Sequence, residues 1–221
     1  MTKDNVSRGA KRLWKADRAR LTRADEERKS MRAIVSVAMI CFVSACTIHH
    51  KWEVTLAPKV LVTPINLGSG AKVSLMVLDE RPTTLLADHE SGGVRFRVSA
   101  PGDLSLAVGE QLRSGLVSLG FEVLPTSEPS TATLEIHLLS LALDPELVAR
   151  GSNIASTDVV AKAKADVRRG QTHLFQKTYN AAGTSAPIFA RRTFFEEKAN
   201  AALSGLISKM LADIELLAAL K

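Results

Sequence analysis

Two hydrophobic periods are written into the chain from Lys72 onward. Val73, Leu75 and Val77 recur every second residue and stop at the polar run Asp79-Glu80-Arg81-Pro82, which predicts a strand over 72–79. A second short strand is predicted at Val94–Val98, after a turn at Gly92-Gly93. The period then lengthens. Leu104, Ala107, Val108, Gln111, Leu112, Gly115, Leu116 and Leu119 recur at helical spacing, with Asp103 placed as N-cap and Gly120 where a left-handed C′ residue belongs. Phe121–Leu124 reads as a strand running into a Pro125–Pro129 turn. Thr131–Leu143 is a long strand whose apolar phase slips by one between Leu138 and Leu139, the mark of a bulge.

Val159, Ala161, Ala163, Ala165 and Val167 alternate with charged residues, so one face of that strand is small and apolar, which lets a helix approach closely. Arg169-Gly170-Gln171 predicts a tight hairpin into Thr172–Ala182, and Gly183–Pro187 turns into the last helix. Phe194, Phe195, Ala199, Ala202, Leu203, Leu206, Ile207, Met210, Leu211, Ile214 and Leu217 form a broad stripe on that helix, which is predicted to run about thirty residues, with Lys198 and Lys209 largely off the stripe. The expected fold is α+β: a mostly antiparallel sheet with one mid-chain helix and one long C-terminal helix packed on a face, a single domain over residues 72–221.

Upstream of this domain the pattern fails. Residues 47–71 carry Pro58, Pro64, Asn66, Gly68, Ser69 and Gly70 among scattered apolar positions, as a tether would. Extended, about 25 residues reach roughly 80 Å. Val54, Leu56, Val60 and Val62 alternate as a docked strand would, and both readings stand. Further upstream, the apolar run Ala33–Val43 follows Arg32 and ends at Val43-Ser44-Ala45-Cys46. About eleven residues are too few for the roughly twenty that cross a bilayer and suit the apolar region of a secretory signal. Small residues at Ser44 and Ala45 fit a peptidase cleft, and Cys46 supplies the thiol for a diacylglyceryl thioether. The expectation is a lipoprotein signal over 31–45, with Val43, Ser44, Ala45 and Cys46 as its lipobox and Cys46 as the lipidated residue of a 46–71 anchor and tether.

Charge changes the picture more than composition does. Of 29 basic and 23 acidic residues, the first 32 positions hold eleven and five, which leaves eighteen of each beyond them. The excess that gives a sequence pI near 9.5 therefore sits in a segment that processing would remove, and nucleic acid drops out as a partner. Residues 1–30 read as a charged leader or as a start assigned too far upstream, with Met31 or Leu21 as alternative starts. Cys41 lies inside the apolar run, so a processed chain has Cys46 acylated and no thiol left for a disulfide.

From Cys46 onward the chain resembles the YajG family of uncharacterised proteobacterial lipoproteins. The resemblance rests on the lipobox, the Pro-containing segment, a first strand ending in Asp79-Glu80-Arg81, a helix closed by Gly120-Phe121, long strands, and Tyr179-Asn180 ahead of the C-terminal helix. It implies a periplasm-facing lipoprotein with no assigned activity.

Candidate chemistry is sparse. His49-His50 beside Lys51 lacks a third metal ligand at a usable spacing, and His89, His137 and His173 stand singly. Asp79 and Glu80 with Arg81 read as a local ion pair, and Ser91-Gly92-Gly93 as a turn without the Lys of a phosphate loop. No catalytic, cofactor-binding or metal residue is assigned, and no cofactor is expected. The preferred expectation is a non-catalytic binding or structural lipoprotein, palmitate-bearing at Cys46, whose partners are the membrane through its anchor and another envelope protein or a glycan. The alternative is an enzyme acting on an envelope polymer such as peptidoglycan, which a cluster of Asp79, Glu80, His89 and His173 in one cleft would favour. Thr47 is not the Asp that favours inner-membrane retention in enteric-type sorting, so the outer membrane, periplasmic face, is the expected address.

Overall fold

The protein is described by a computed structural model, which covers residues 48–91, 94–125, 128–144, 158–184 and 192–221. The chain divides into two units, Met1–Ile48 and His49–Lys221, and apart from Ile48, the first residue of β1, the elements below belong to the second. The leader, the lipobox and the turns expected at Gly92-Gly93 and beyond Thr184 lie outside the described residues.

Among the described residues, eight strands and three helices follow in order: β1 (Ile48–Glu53), β2 (Lys72–Asp79), β3 (Leu85–Ser91), β4 (Val94–Ser99), α1 (Leu104–Ser118), β5 (Glu122–Leu124), β6 (Ala132–Leu143), β7 (Val159–Arg169), β8 (Thr172–Gly183), α2 (Arg192–Leu211) and α3 (Ile214–Ala219). The main sheet has the order β5-β2-β6-β7-β8. β6, β7 and β8 form the expected antiparallel meander, whereas β2 pairs in parallel with both β5 and β6. The bulge predicted in β6 is present, a register shift between Leu138 and Ser140. It lets Leu138 and Leu141 both turn into the core.

Both long helices cover one face of this sheet. α1 packs on β2, and α2 packs on β7 and β8. Ala161, Ala163 and Ala165 are fully buried beneath α2, which answers with Ala199, Ala202 and Leu206. Small residues on both sides bring the layers close enough that a Cβ on Gly183 of β8 would overlap the Lys198 carbonyl oxygen. α1 is closed as expected, by Asp103 accepting from the Ser105 amide at 2.9 Å and by Gly120 at φ +85°.

Three expectations change. The C-terminal helix is not continuous: it stops at Leu211, and Asp213 caps a new helix by accepting from the Glu215 and Leu216 amides. Asp caps a helix better than it continues one. After the break Ile214 points to solvent, and the core is filled by Leu216, Leu217 and Leu220. Lys198, placed largely off the stripe, is instead fully buried. β3 was not legible, because a register shift between Leu85 and Ala87 breaks its alternation.

The segment 54–70 is docked. The Ala57, Lys59 and Val60 amides donate to Asn200 Oδ1 (2.7 Å), Ser204 Oγ (3.0 Å) and Gln111 Oε1 (3.1 Å), so the chain crosses from α2 to α1 as a strap. It continues along the end of α1, where the Ile65, Gly68 and Gly70 amides donate to the Ser118, Leu119 and Gly120 carbonyls. Before it, β1 joins β4 and β3 in a second sheet of order β1-β4-β3. The Val54 amide donates to the Ser99 carbonyl, so the far ends of β1 and β4 coincide and the two strands run the same way.

Candidate functional site

Alternation along β1 sends His49 and His50 to opposite faces of the small sheet, so the pair does not chelate one ion together. Among the described residues no group of three or more potential metal ligands is gathered. His50 belongs instead to a chain of rings. Its centroid lies 5.4 Å from Phe96 and 5.7 Å from Trp52, Trp52 lies 5.4 Å from Phe96, and Trp52 reaches Phe195 of α2 at 5.9 Å. Exposure falls along it: His50 is at the surface, Trp52 and Phe96 are half-buried, and Phe195 is wholly buried. The opposite face of the sheet carries charge, with Arg95 and Arg97 both on Asp88 at 2.8 and 2.9 Å. Their two guanidiniums, Arg95 foremost, hold the Asp88 carboxyl well below the usual carboxylate range.

Beside the far end of β1 lies a cavity of about 310 Å³, lined by Glu53, Leu56, Asp103, Leu104 and Arg192 among others. Two of its charged groups have local duties. Asp103 caps α1, and Arg192 lies 3.8 Å from Glu196 one turn along α2.

Asp79, Glu80 and His173 are drawn into separate pairs, and the His89 side chain lies outside the described residues. Asp79 holds the buried Arg81 through two bonds of 2.8 Å. Burial opposes its charge, but Arg81 and the Leu104 amide outweigh that and keep its carboxyl below the ordinary value. The Asp-x-Arg motif thus ties the end of β2 to the first turn of α1. Glu80 Oε1 lies 2.8 Å from His137 Nδ1, while His173 Nδ1 lies 3.0 Å from Asp166.

Sequence reasoning missed that the Glu80–His137 and Asp166–His173 pairs join into one row on the sheet face opposite the helices. His137 approaches Glu135 at 3.9 Å, Arg168 approaches Glu135 at 3.4 Å and Asp166 at 3.1 Å, and Asp166 meets His173. The signal was available in the alternate residues of β6 and β7, which the register places opposite one another, Glu135 against Asp166 and Thr133 against Arg168. Asp166 is buried, which raises its pKa, yet Arg168 and His173 together hold it below the usual range. A general acid needs a carboxyl held protonated near neutral pH. Every described carboxyl with a resolved shift moves the other way.

Lys198 lies under the layer of helices, its ammonium 4.4 Å above the Phe194 ring and 3.7 Å from Asp158. Burial pushes its pKa down, and Asp158 offsets part of that. No described helix is long and apolar enough to cross a membrane.

The model of the family Lipoprotein_16, described as uncharacterized lipoprotein, matches residues 58–221. No curated protein matches the chain. Among solved structures the chain is similar to a Xanthomonas campestris protein of the DUF330 family at 10% identity, covering 74% of this chain and 92% of that one with a TM-score of 0.46. It is also similar to a lipoprotein of Neisseria meningitidis, at 10% identity, 57% and 90% coverage and a TM-score of 0.36. A minor lipoprotein of Acinetobacter baumannii gives 12% identity, 66% and 94% coverage and a TM-score of 0.38.

Proposed function

The chain belongs to the Lipoprotein_16 family of uncharacterised lipoproteins, the YajG type, and from that premise we propose that it is a non-catalytic envelope lipoprotein held by an acylated Cys46 at the periplasmic face of the outer membrane. Its task in this reading is to bind or brace another envelope protein or a glycan. The observation that carries it is positional. The lipobox Val43-Ser44-Ala45-Cys46 ends two residues before β1, the first strand of the folded unit, so cleavage at Cys46 removes the apolar run and leaves every described element intact. The ion-paired state of Asp79, Asp88, Asp166 and Asp213 supports the non-catalytic half, because each is stabilised as a carboxylate rather than poised to donate a proton.

The test is Cys46→Ser in the cell of origin. Labelled palmitate should vanish from the protein and the longer precursor should accumulate. Palmitate that is still incorporated would refute the anchor. Density-gradient separation of the two membranes decides the address, with a signal confined to the inner-membrane fraction counting against it, and crosslinking in intact cells identifies what the domain holds.

A further inference from the structure

The ring chain of the small sheet packs on the core at one end and reaches the surface at the other. A core aromatic cluster closes on itself, but this one leads outward from buried Phe195 through half-buried Trp52 and Phe96 to exposed His50. It also sits on the first strand after the lipobox. Two peptide units separate Cys46 from Ile48, a contour of at most about 7 Å, and Trp52 is within about 20 Å of chain from the same residue. The strap removes the slack that a free 47–71 segment would have given, because residues 54–70 are bonded to α1 and α2.

We infer that the rim formed by His50, Trp52 and Phe96 rests in the headgroup layer of the bilayer that carries the acyl chains, so that β1 orients the domain on the membrane instead of letting it swing. This rests on the acylation of Cys46 proposed above. Amphipathic rings are the side chains that favour the membrane–water interface, with an apolar body toward the acyl boundary and a polar edge toward water. His50 and Trp52 supply ring N–H groups for lipid phosphates or esters. A basic patch is not what drives the contact: Arg95 and Arg97 are turned to the other face and neutralised in part by Asp88. The contact is therefore expected with zwitterionic lipid and to survive salt.

The chain provides its own probe. Its two tryptophans are Trp14, in the leader, and Trp52, so the processed protein has one. The acylated protein is reconstituted into phosphatidylethanolamine–phosphatidylcholine vesicles doped with lipid brominated high on its acyl chains. Emission should fall relative to unbrominated vesicles, as for an interfacial indole, and the fall should persist at high salt. The same sample is floated on sucrose and its Cys46 peptide is weighed. A protein that is acylated and floats, yet shows the same emission in both kinds of vesicle, overturns the apposition and leaves the anchor standing. A Cys46 without an acyl adduct overturns both. Emission that becomes shielded from iodide as protein concentration rises in detergent alone assigns the rim to a second copy and also overturns it.

Discussion

Tyr179 is the single tyrosine of the chain, and its environment shows how one residue can tie a strand to the cap of a helix. From β8 its hydroxyl donates to Asp213 at 2.7 Å, and Lys177 reaches the same carboxylate oxygen at 2.7 Å. That carboxylate also caps α3. Burial alone would raise the pKa of Asp213, but the bonds from Lys177, Tyr179 and the Leu216 and Glu215 amides bring it down to about 2. Tyr179 moves upward, first through burial and then through the adjacent anion. The two linkages have opposite signs. Asp213 contributes stability that is present above about 3.8 and is lost as pH falls toward 2, whereas Tyr179 contributes stability that is present below about 10 and is lost as pH rises beyond it. We expect the folded protein to show no phenolate absorbance at a pH where a free tyrosine is mostly ionised. Asp213→Asn, which keeps a capping side chain but removes the anion, should bring that titration back toward its ordinary range, and Asp213→Ala should in addition lower the melting temperature through the lost cap, which is worth about 0.5–2 kcal/mol. A phenolate step near 10 in the folded wild-type protein would show that the contact is absent. In the sequence, Asp213 sits inside what reads as one helical stripe, and nothing local marks it as the partner of a residue 34 positions earlier.

Among the elements, those whose rules are local were legible and those decided by distant contacts were not. The Asp103 cap, the Gly120 closure, the β6 bulge and the β7–β8 hairpin each follow from a few adjacent residues, and Gly170 takes the positive φ (+60°) that the hairpin needs. The break between α2 and α3 escaped because apolar spacing resumes close to phase beyond it. β1 escaped because His-His-Lys-Trp lacks a clean alternation until β4 is beside it. The interlayer distance has its own predictions. Gly183→Ala should be severely destabilising, since its Cβ would overlap backbone of α2 rather than a flexible side chain. Leu206→Ala, at a fully buried site on α2, should cost about 2–5 kcal/mol. Thermal unfolding measures both. An unchanged midpoint for Leu206→Ala together with weaker membrane association would make α2 a surface element.

At the scale of the whole molecule the decisive difference is between a tether and a strap. Pro58, Pro64 and the Gly68–Gly70 run have the composition of a linker, and composition is silent on whether helices 51 to 145 residues away offer acceptors for its amides. Gln111, Asn200 and Ser204 do so; the alternation of Val54, Leu56, Val60 and Val62 left docking open without naming an acceptor. The candidate site was divided in the same way: the lipobox is a local motif, whereas the ring chain needs residues from β1, β4 and α2 to meet. Strap and tether give different responses to editing. Inserting a Gly/Ser segment between Thr47 and Ile48 leaves every described bond in place, so the melting temperature should not move. Gln111→Ala with Asn200→Ala removes two acceptors from strap amides, each worth about 0.5–1.5 kcal/mol, so the domain should melt lower. Leu61 is fully exposed at the middle of the strap, and its neighbouring bonds should be cut faster by protease in the double variant, because losing the acceptors raises the population of the released segment. Equal cleavage rates and equal midpoints in wild type and double variant would mean that the segment is a free tether in solution, with the domain beginning at β2.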